Sequence, residues 1–139
     1  MHTSSIDQLN VGDSITSLRL PPISRTMLAL YAGASGDHNP MHIDIDFARS
    51  AGLDDVFAHG MLSAAYVGRL ITDWAGQDRM HELTIRFTGV THVHDEPTCI
   101  GKIVERFEVN GEQRLRVEVQ CLNQKGEVKI TGHAVVAAV

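Results

Sequence analysis

Residues 57–74 read FAHGMLSAAYVGRLITDW, and this stretch predicts the longest helix of the chain. Its large apolar residues are spread widely around a helical projection: Met61, Leu62, Tyr66, Leu70 and Trp74. A helix that is apolar on most sides is usually buried. The small residues Ala64, Ala65 and Gly68 would let a sheet approach this helix closely. The stretch therefore predicts a buried central helix.

Almost everything after this helix has the two-residue period of β-strands. Apolar and polar residues alternate over 83–88 and 114–121, a strand with an irregularity is expected over 100–109, and the last strand runs over 128–139. Asn110-Gly111 favours a type I′ hairpin turn because both residues tolerate positive φ, and Gly126 lies in a second turn. The pattern predicts an antiparallel meander of about four strands.

Shorter elements are expected ahead of the central helix. A strand over 15–20 is stopped by Pro21-Pro22, Ser24 would cap a helix over 25–32, and 47–50 could form a short helix. Helices grouped on one face of an antiparallel sheet make an α+β fold. One long helix wrapped by such a sheet is the hot-dog arrangement. With no repeat or linker, residues 1–139 are expected to form a single domain.

The composition excludes several classes of partner. A net charge of −5 argues against nucleic acid and against an anionic membrane surface. The segment Met1–Asp7 has neither a basic nor an apolar leader region, and no apolar run has the length of a membrane span. A cytoplasmic protein is the expectation. Two cysteines, Cys99 and Cys121, indicate neither a disulfide framework nor a short-spaced zinc motif.

The residue types that support chemistry are concentrated in 31–44, which reads YAGASGDHNPMHID. Asp37 and His42 flank an Asn-Pro turn that can bring them together. Hydrating a double bond conjugated to a carbonyl needs one group to take a proton from water and another to deliver one to carbon, and a carboxylate with an imidazole suits this. From the residues alone, an Asp that caps a helix and an ordinary His are the commoner interpretation.

The same segment resembles the signature of the MaoC-like dehydratases and (R)-specific enoyl-thioester hydratases. The shared pattern is an aromatic residue, small residues, and then Gly36-Asp37-His38-Asn39-Pro40-Met41-His42-Ile43-Asp44, with Met41 in place of the usual Leu or Ile. The resemblance continues through Ala58-His59-Gly60-Met61-Leu62 and 83–88, so it covers most of the chain. Within the family, the chain resembles the catalytic subunits of actinobacterial (3R)-hydroxyacyl-acyl-carrier-protein dehydratases.

The resemblance implies reversible hydration of trans-2-enoyl thioesters of coenzyme A or acyl carrier protein to (R)-3-hydroxyacyl thioesters. It implies that Asp37 and His42 are the catalytic pair. Gly60, at the helix N-terminus, would offer a backbone amide to the thioester oxygen. Asn39 would orient the loop or His42, although a simple turn-forming role explains it equally well. His59 is a candidate substrate-binding residue or a structural histidine.

No cofactor is expected, because water is the co-substrate. A metal site is not expected either, since Pro40 disfavours a helix that would place His38 and His42 on one face. Arg114 and Arg116 share a strand face and could meet a phosphate or an acidic carrier, but a solvated face is the commoner explanation.

Two other functions stay open at this level. A hot-dog thioesterase would direct water to the carbonyl carbon, and the run Asn39-Pro40-Met41-His42 argues against it. A non-catalytic acyl-thioester-binding subunit of a heterodimer would not need both Asp37 and His42. The resemblance also implies dimerisation, as a homodimer or with a second hot-dog subunit, through an edge strand.

Overall fold

The computed structural model describes residues 5–139. The expectation that the N-terminus carries no leader sequence therefore falls mostly outside the described residues, as does His2.

One five-stranded antiparallel sheet forms the body of the molecule. Its strands are β1 (Leu18–Arg19), β2 (Met80–Phe87), β3 (Thr98–Val109), β4 (Glu112–Leu122) and β5 (Val128–Ala137). They are arranged in the order β1-β3-β4-β5-β2, so the two-residue β1 and the eight-residue β2 are the edges. Together with the long helix packed against the sheet, this architecture confirms the predicted α+β hot-dog fold.

The central helix α3 spans Gly60–Ala75 and packs its apolar side against the sheet. Val67, Leu70 and Ile71 are fully buried and belong to the same core cluster as Leu115 and Ile130 of the sheet. The helix is buried on the side that faces the sheet, as predicted, but its first turn is not, because Met61 is 60% exposed. The predicted start at residue 57 was wrong, since Phe57 forms an isolated β-bridge with His92.

Helix α1 (Arg25–Ser35) and helix α2 (Ile45–Ser50) precede α3. The Ser24 side chain accepts a hydrogen bond from the Met27 amide and caps α1 as predicted, but the helix runs past Gly33 to Ser35. Helix α2 begins two residues before the predicted position because Asp44 caps it. The predicted strand over 15–20 is reduced to β1 and one isolated bridge from Ser14 to Lys102.

The predicted turns and irregularity are present. Asn110 and Gly111 have φ of 50° and 83°, and they join β3 to β4. The register of β3 against β4 shifts between Ile103 and Glu105. Within residues 5–139, no helix is long and apolar enough to cross a membrane.

Candidate active site

Asp37 lies on the loop that leaves helix α1. Gly36 ends the helix with φ of 78°, a left-handed conformation that glycine adopts without strain. The Asp37 amide donates to Ser35 Oγ, and Asp37 Oδ1 accepts from the Asn39 amide at 3.2 Å. These local bonds hold Asp37 on an exposed loop.

His42 closes the single 3-10 turn Pro40–His42 and is 8% exposed. Asn39 caps this turn, because its Oδ1 accepts from the Met41 amide at 3.1 Å. This hydrogen bond of Asn39 therefore orients the loop and not the imidazole of His42. The His42 ring is held separately, by Nδ1 donating to the Phe57 carbonyl at 2.7 Å. Since Nδ1 carries the proton, Nε2 of the neutral ring has a free lone pair.

His59 connects these two residues to the start of α3. It is 1% exposed and its Nε2 donates to the Asp37 carbonyl at 3.1 Å. Its ring lies 4.1 Å from that of His42 and 4.8 Å from that of Tyr31, measured between centroids. Burial lowers the pKa of His59, which keeps the ring neutral. The remaining nitrogen, Nδ1, is buried without a hydrogen-bond partner.

Asp37, His42 and His59 converge on one point. A carboxylate oxygen and two ring nitrogens, one from each residue, all lie within 4.8 Å of one another. Two hydrogen bonds of about 2.8 Å can span that distance, so one water molecule fits between the carboxylate and the imidazole. The three side chains are also of types that hold metals, but the Nε2 proton of His59 is already committed to Asp37. His38 lies apart, exposed, with its ring against the Gly36 carbonyl.

Gly60, the first residue of α3, lines a cavity of about 180 Å³. The cavity is lined in part by Phe57, Gly60, Ser63, Phe87, Thr91 and Lys129. A Cβ at position 60 would lie 3.1 Å from Phe87 Cε1, so a side chain there would crowd the cavity wall. The amides of the first helical turn have no partner within the helix, and they favour negative charge. The cavity is therefore lined in part by the N-terminus of α3, whose free amides can donate to an anionic oxygen.

Sequence reasoning singled out the loop of Asp37 and His42 but missed parts of the cavity. Phe57 holds the His42 ring through its backbone carbonyl, and a pattern of side chains does not reveal a backbone contact. Thr91 and Lys129 come from segments far along the chain. Lys129 alternates with Val128 and Ile130 like a solvent-facing strand residue, so the sequence does not reveal that it is 7% exposed.

A match to a known protein family covers the segments that form this site. Residues 10–137 match the model of the MaoC like domain. The chain belongs to the MaoC-like dehydratase family. The family predicted from the loop of Asp37 and from His59-Gly60-Met61 is therefore confirmed.

Curated relatives of this MaoC-like chain include dehydratases of fatty acid synthesis. It is 27% identical over 127 residues to the mitochondrial 3-hydroxyacyl-[acyl-carrier-protein] dehydratase of Arabidopsis thaliana, covering 91% of this chain and 75% of the plant protein. It is 34% identical over 107 residues to fatty acid synthase subunit beta of Saccharomyces cerevisiae, covering 75% of this chain. The match spans only 5% of the length of that yeast subunit.

Solved structures with the same fold include two (R)-hydratases. The unliganded R-hydratase PhaJ1 from Pseudomonas aeruginosa has a TM-score of 0.83 and 28% identity, covering 96% of this chain and 84% of that one. The (R)-hydratase from A. caviae involved in PHA biosynthesis has a TM-score of 0.78 and 25% identity, covering 93% and 96%. Hydratases and dehydratases of this family are hydro-lyases, so the MaoC-like chain groups with enzymes that add or remove water.

Proposed function

We propose that this protein adds water reversibly to trans-2-enoyl thioesters, carried on coenzyme A or acyl carrier protein, to give (R)-3-hydroxyacyl thioesters. The observation that carries the proposal is the convergence of Asp37 and His42, with the His42 tautomer fixed by Phe57, beside the N-terminus of α3. Hydratases and dehydratases among its relatives support it.

Asp37 and His42 hold the attacking water between them. Nε2 of His42 accepts a proton from that water as its oxygen bonds to C3 of the enoyl group. The protonated pair then returns a proton to C2, which leaves the catalyst as it began and adds one water to the double bond. The reverse sequence eliminates water. Positioned proton transfer of this kind contributes about a hundredfold to ten-thousandfold in rate.

The Gly60 amide stabilises the negative charge that builds on the thioester oxygen. Its N–H lies in the first turn of α3, where the helix dipole adds to the effect. Removing one such donor elsewhere costs about 3 kcal/mol. His59 contributes indirectly, since it holds the Asp37 carbonyl and supports the His42 ring at the same time. We assign His59 and Asn39 to positioning the catalytic loop.

The proposal is tested by adding the protein to crotonyl-CoA and measuring hydration as the loss of absorbance of the conjugated enoyl group. Asp37→Asn and His42→Ala are each expected to lose at least about a hundredfold in kcat/KM, because each removes one acid–base group. Matched controls are Asp46→Asn and His38→Ala, which remove an exposed carboxylate and an exposed imidazole close by in the chain. Catalytic-pair variants that keep wild-type rates while folded would contradict the assignment.

The same assay separates two other functions. A thioesterase would release free thiol from crotonyl-CoA without forming a hydroxyacyl product. A non-catalytic subunit would bind crotonyl-CoA without turnover, alone or with a second hot-dog chain. The retained and converging Asp37 and His42 favour the hydratase over both.

We also propose that two copies pair through strand β2. This edge is eight residues long and exposes its outer backbone groups, whereas the opposite edge, β1, has two residues. Long edge strands with unpaired backbone groups are normally covered by another element or another chain. The apolar side chain of Phe87, the last residue of β2, is 51% exposed at the same edge. Sedimentation should give twice the chain mass, and a mass matching one chain at micromolar concentration would contradict the proposal.

A further inference from the structure

Lys129 is a buried cation with no role in the chemistry described so far. Its side chain is 9% exposed and its tail lies against Gly89, where a Cβ would be 3.1 Å from Lys129 Cδ. Its nearest charged partner is Glu127 Oε2 at 3.9 Å, which is too long for a hydrogen bond. Glu127 itself is 56% exposed and accepts from Asn123 at 3.0 Å. Within residues 5–139, Lys129 Nζ thus has no hydrogen-bond acceptor.

Two buried hydroxyls stand in the same cavity as Lys129. Ser63, on α3, and Thr91 are 3% and 6% exposed, and their oxygens lie 3.4 Å apart. The rest of the lining is largely apolar, as at Phe57 and Phe87. A few convergent polar groups in an apolar pocket usually fix the orientation of a ligand. This cavity has one ammonium and two hydroxyls to do so.

The cavity shares two lining residues with the proposed reaction centre. Gly60, the oxyanion donor, and Phe57, which holds His42, both line it. A group bound there belongs to the part of the substrate next to the thioester. The phosphates of the carrier are excluded, because the whole pantetheine arm separates them from the thioester. The volume of about 180 Å³ admits only a small group.

The chemistry of that group follows from the charge of Lys129. The Lys129 ammonium lines the cavity without a hydrogen-bond acceptor in residues 5–139, and an anion bound there would form a charge-assisted hydrogen bond with it. A neutral carbonyl would be served by the hydroxyls of Ser63 and Thr91 alone. A carboxylate takes hydrogen bonds from the ammonium and from a hydroxyl at once, and charge-assisted bonds are the stronger kind.

We propose that Lys129, with Ser63 and Thr91, binds a carboxylate carried on the acyl group, so that the substrates are enoyl thioesters with an acidic acyl chain. The inference deepens the proposed function and rests on it for the reaction. The binding pocket can be tested without turnover.

The test compares two saturated ligands that differ only at the end of the acyl chain, glutaryl-CoA and pentanoyl-CoA. Neither has a double bond to hydrate, so calorimetry reports binding alone. Wild-type protein is expected to bind glutaryl-CoA about tenfold tighter or more, the size typical of a hydrogen bond to a charged group. Lys129→Met should abolish this preference, and Lys129→Arg should retain part of it. Lys125→Met is the matched control, since Lys125 is exposed in the nearby turn.

Equal affinity of wild-type protein for the two ligands would overturn the inference, whatever the variants do. So would a glutaryl-CoA preference that Lys129→Met leaves intact. A loss of affinity for both ligands alike would show that Lys129 meets the carrier and would also overturn it. Hydration of crotonyl-CoA is measured separately, so a failed reaction and a failed pocket give different results.

Discussion

Replacing His59 with phenylalanine is expected to separate the stability of this protein from its activity. The variant keeps a ring against His42 but loses the bond from Nε2 to the Asp37 carbonyl, 3.1 Å long. It also removes Nδ1, which is buried without a partner. Losing the bond costs about 1 kcal/mol of unfolding free energy, and removing an unsatisfied buried polar atom returns about 1–3 kcal/mol. The unfolding free energy should therefore hold steady or rise by up to about 2 kcal/mol.

The hydration activity of His59→Phe should fall, although its stability does not. Without the bond, the Asp37 loop loses its tie to α3, and a displacement of about 1 Å can cost about a hundredfold in rate. His59→Gln is the matched control, because its amide can donate to the same carbonyl. Crotonyl-CoA hydration and urea unfolding are measured on both variants.

Two results would refute this reasoning. One is a His59→Phe enzyme with wild-type kcat/KM, since the Asp37 loop would then not depend on the bond. The other is a His59→Phe protein that loses several kcal/mol of stability, since the unpaired Nδ1 would then carry no cost. A His59→Gln enzyme as inactive as His59→Phe would also count against the role of the bond.

Three further outcomes are expected. Burial lowers the pKa of His59 below 6.5, so between the two pKa values only the unfolded chain binds a proton at this histidine. The unfolding free energy, measured with urea, should therefore fall below about pH 6.5, and it should fall less in His59→Phe. Gly132→Ala should prevent folding, because a Cβ there would lie 2.1 Å from the Thr84 carbonyl oxygen. Gly33→Ala should raise the unfolding free energy by about 1 kcal/mol, because a Cβ there meets nothing within 4 Å and alanine favours the helix more than glycine does. The two buried cysteines should resist a thiol reagent until the protein unfolds.

The fold was predictable because its signals are local. The alternation over 83–88 and 114–121 reappears as β2 and β4, and Asn110-Gly111 forms the turn that its tolerance of positive φ predicts. Boundaries were less accurate where capping decides them. The Asp44 carboxylate starts α2 at residue 45, and α1 continues three residues beyond the predicted end, to Ser35 before Gly36.

The site was only partly predictable, because its geometry depends on contacts between distant segments. Spacing could not show that the His42 tautomer is fixed by a carbonyl fifteen residues away. Nor could it show that His59 contacts Asp37 and His42 together. The resemblance to a family supplied the roles of Asp37 and His42, while the cavity beyond Gly60 required the packing of α3 against β5.

The path of the chain separates the residues proposed for the reaction from those proposed to select the substrate. Asp37, His42, His59 and Gly60 all precede the four long strands, and most of their mutual contacts are made within that short stretch. Lys129 and Thr91 come later, from β5 and from the segment between β2 and β3. Mutations in the sheet can therefore reshape the cavity while the proton-transfer groups keep their arrangement. Such a division lets one scaffold acquire new acyl preferences by small steps.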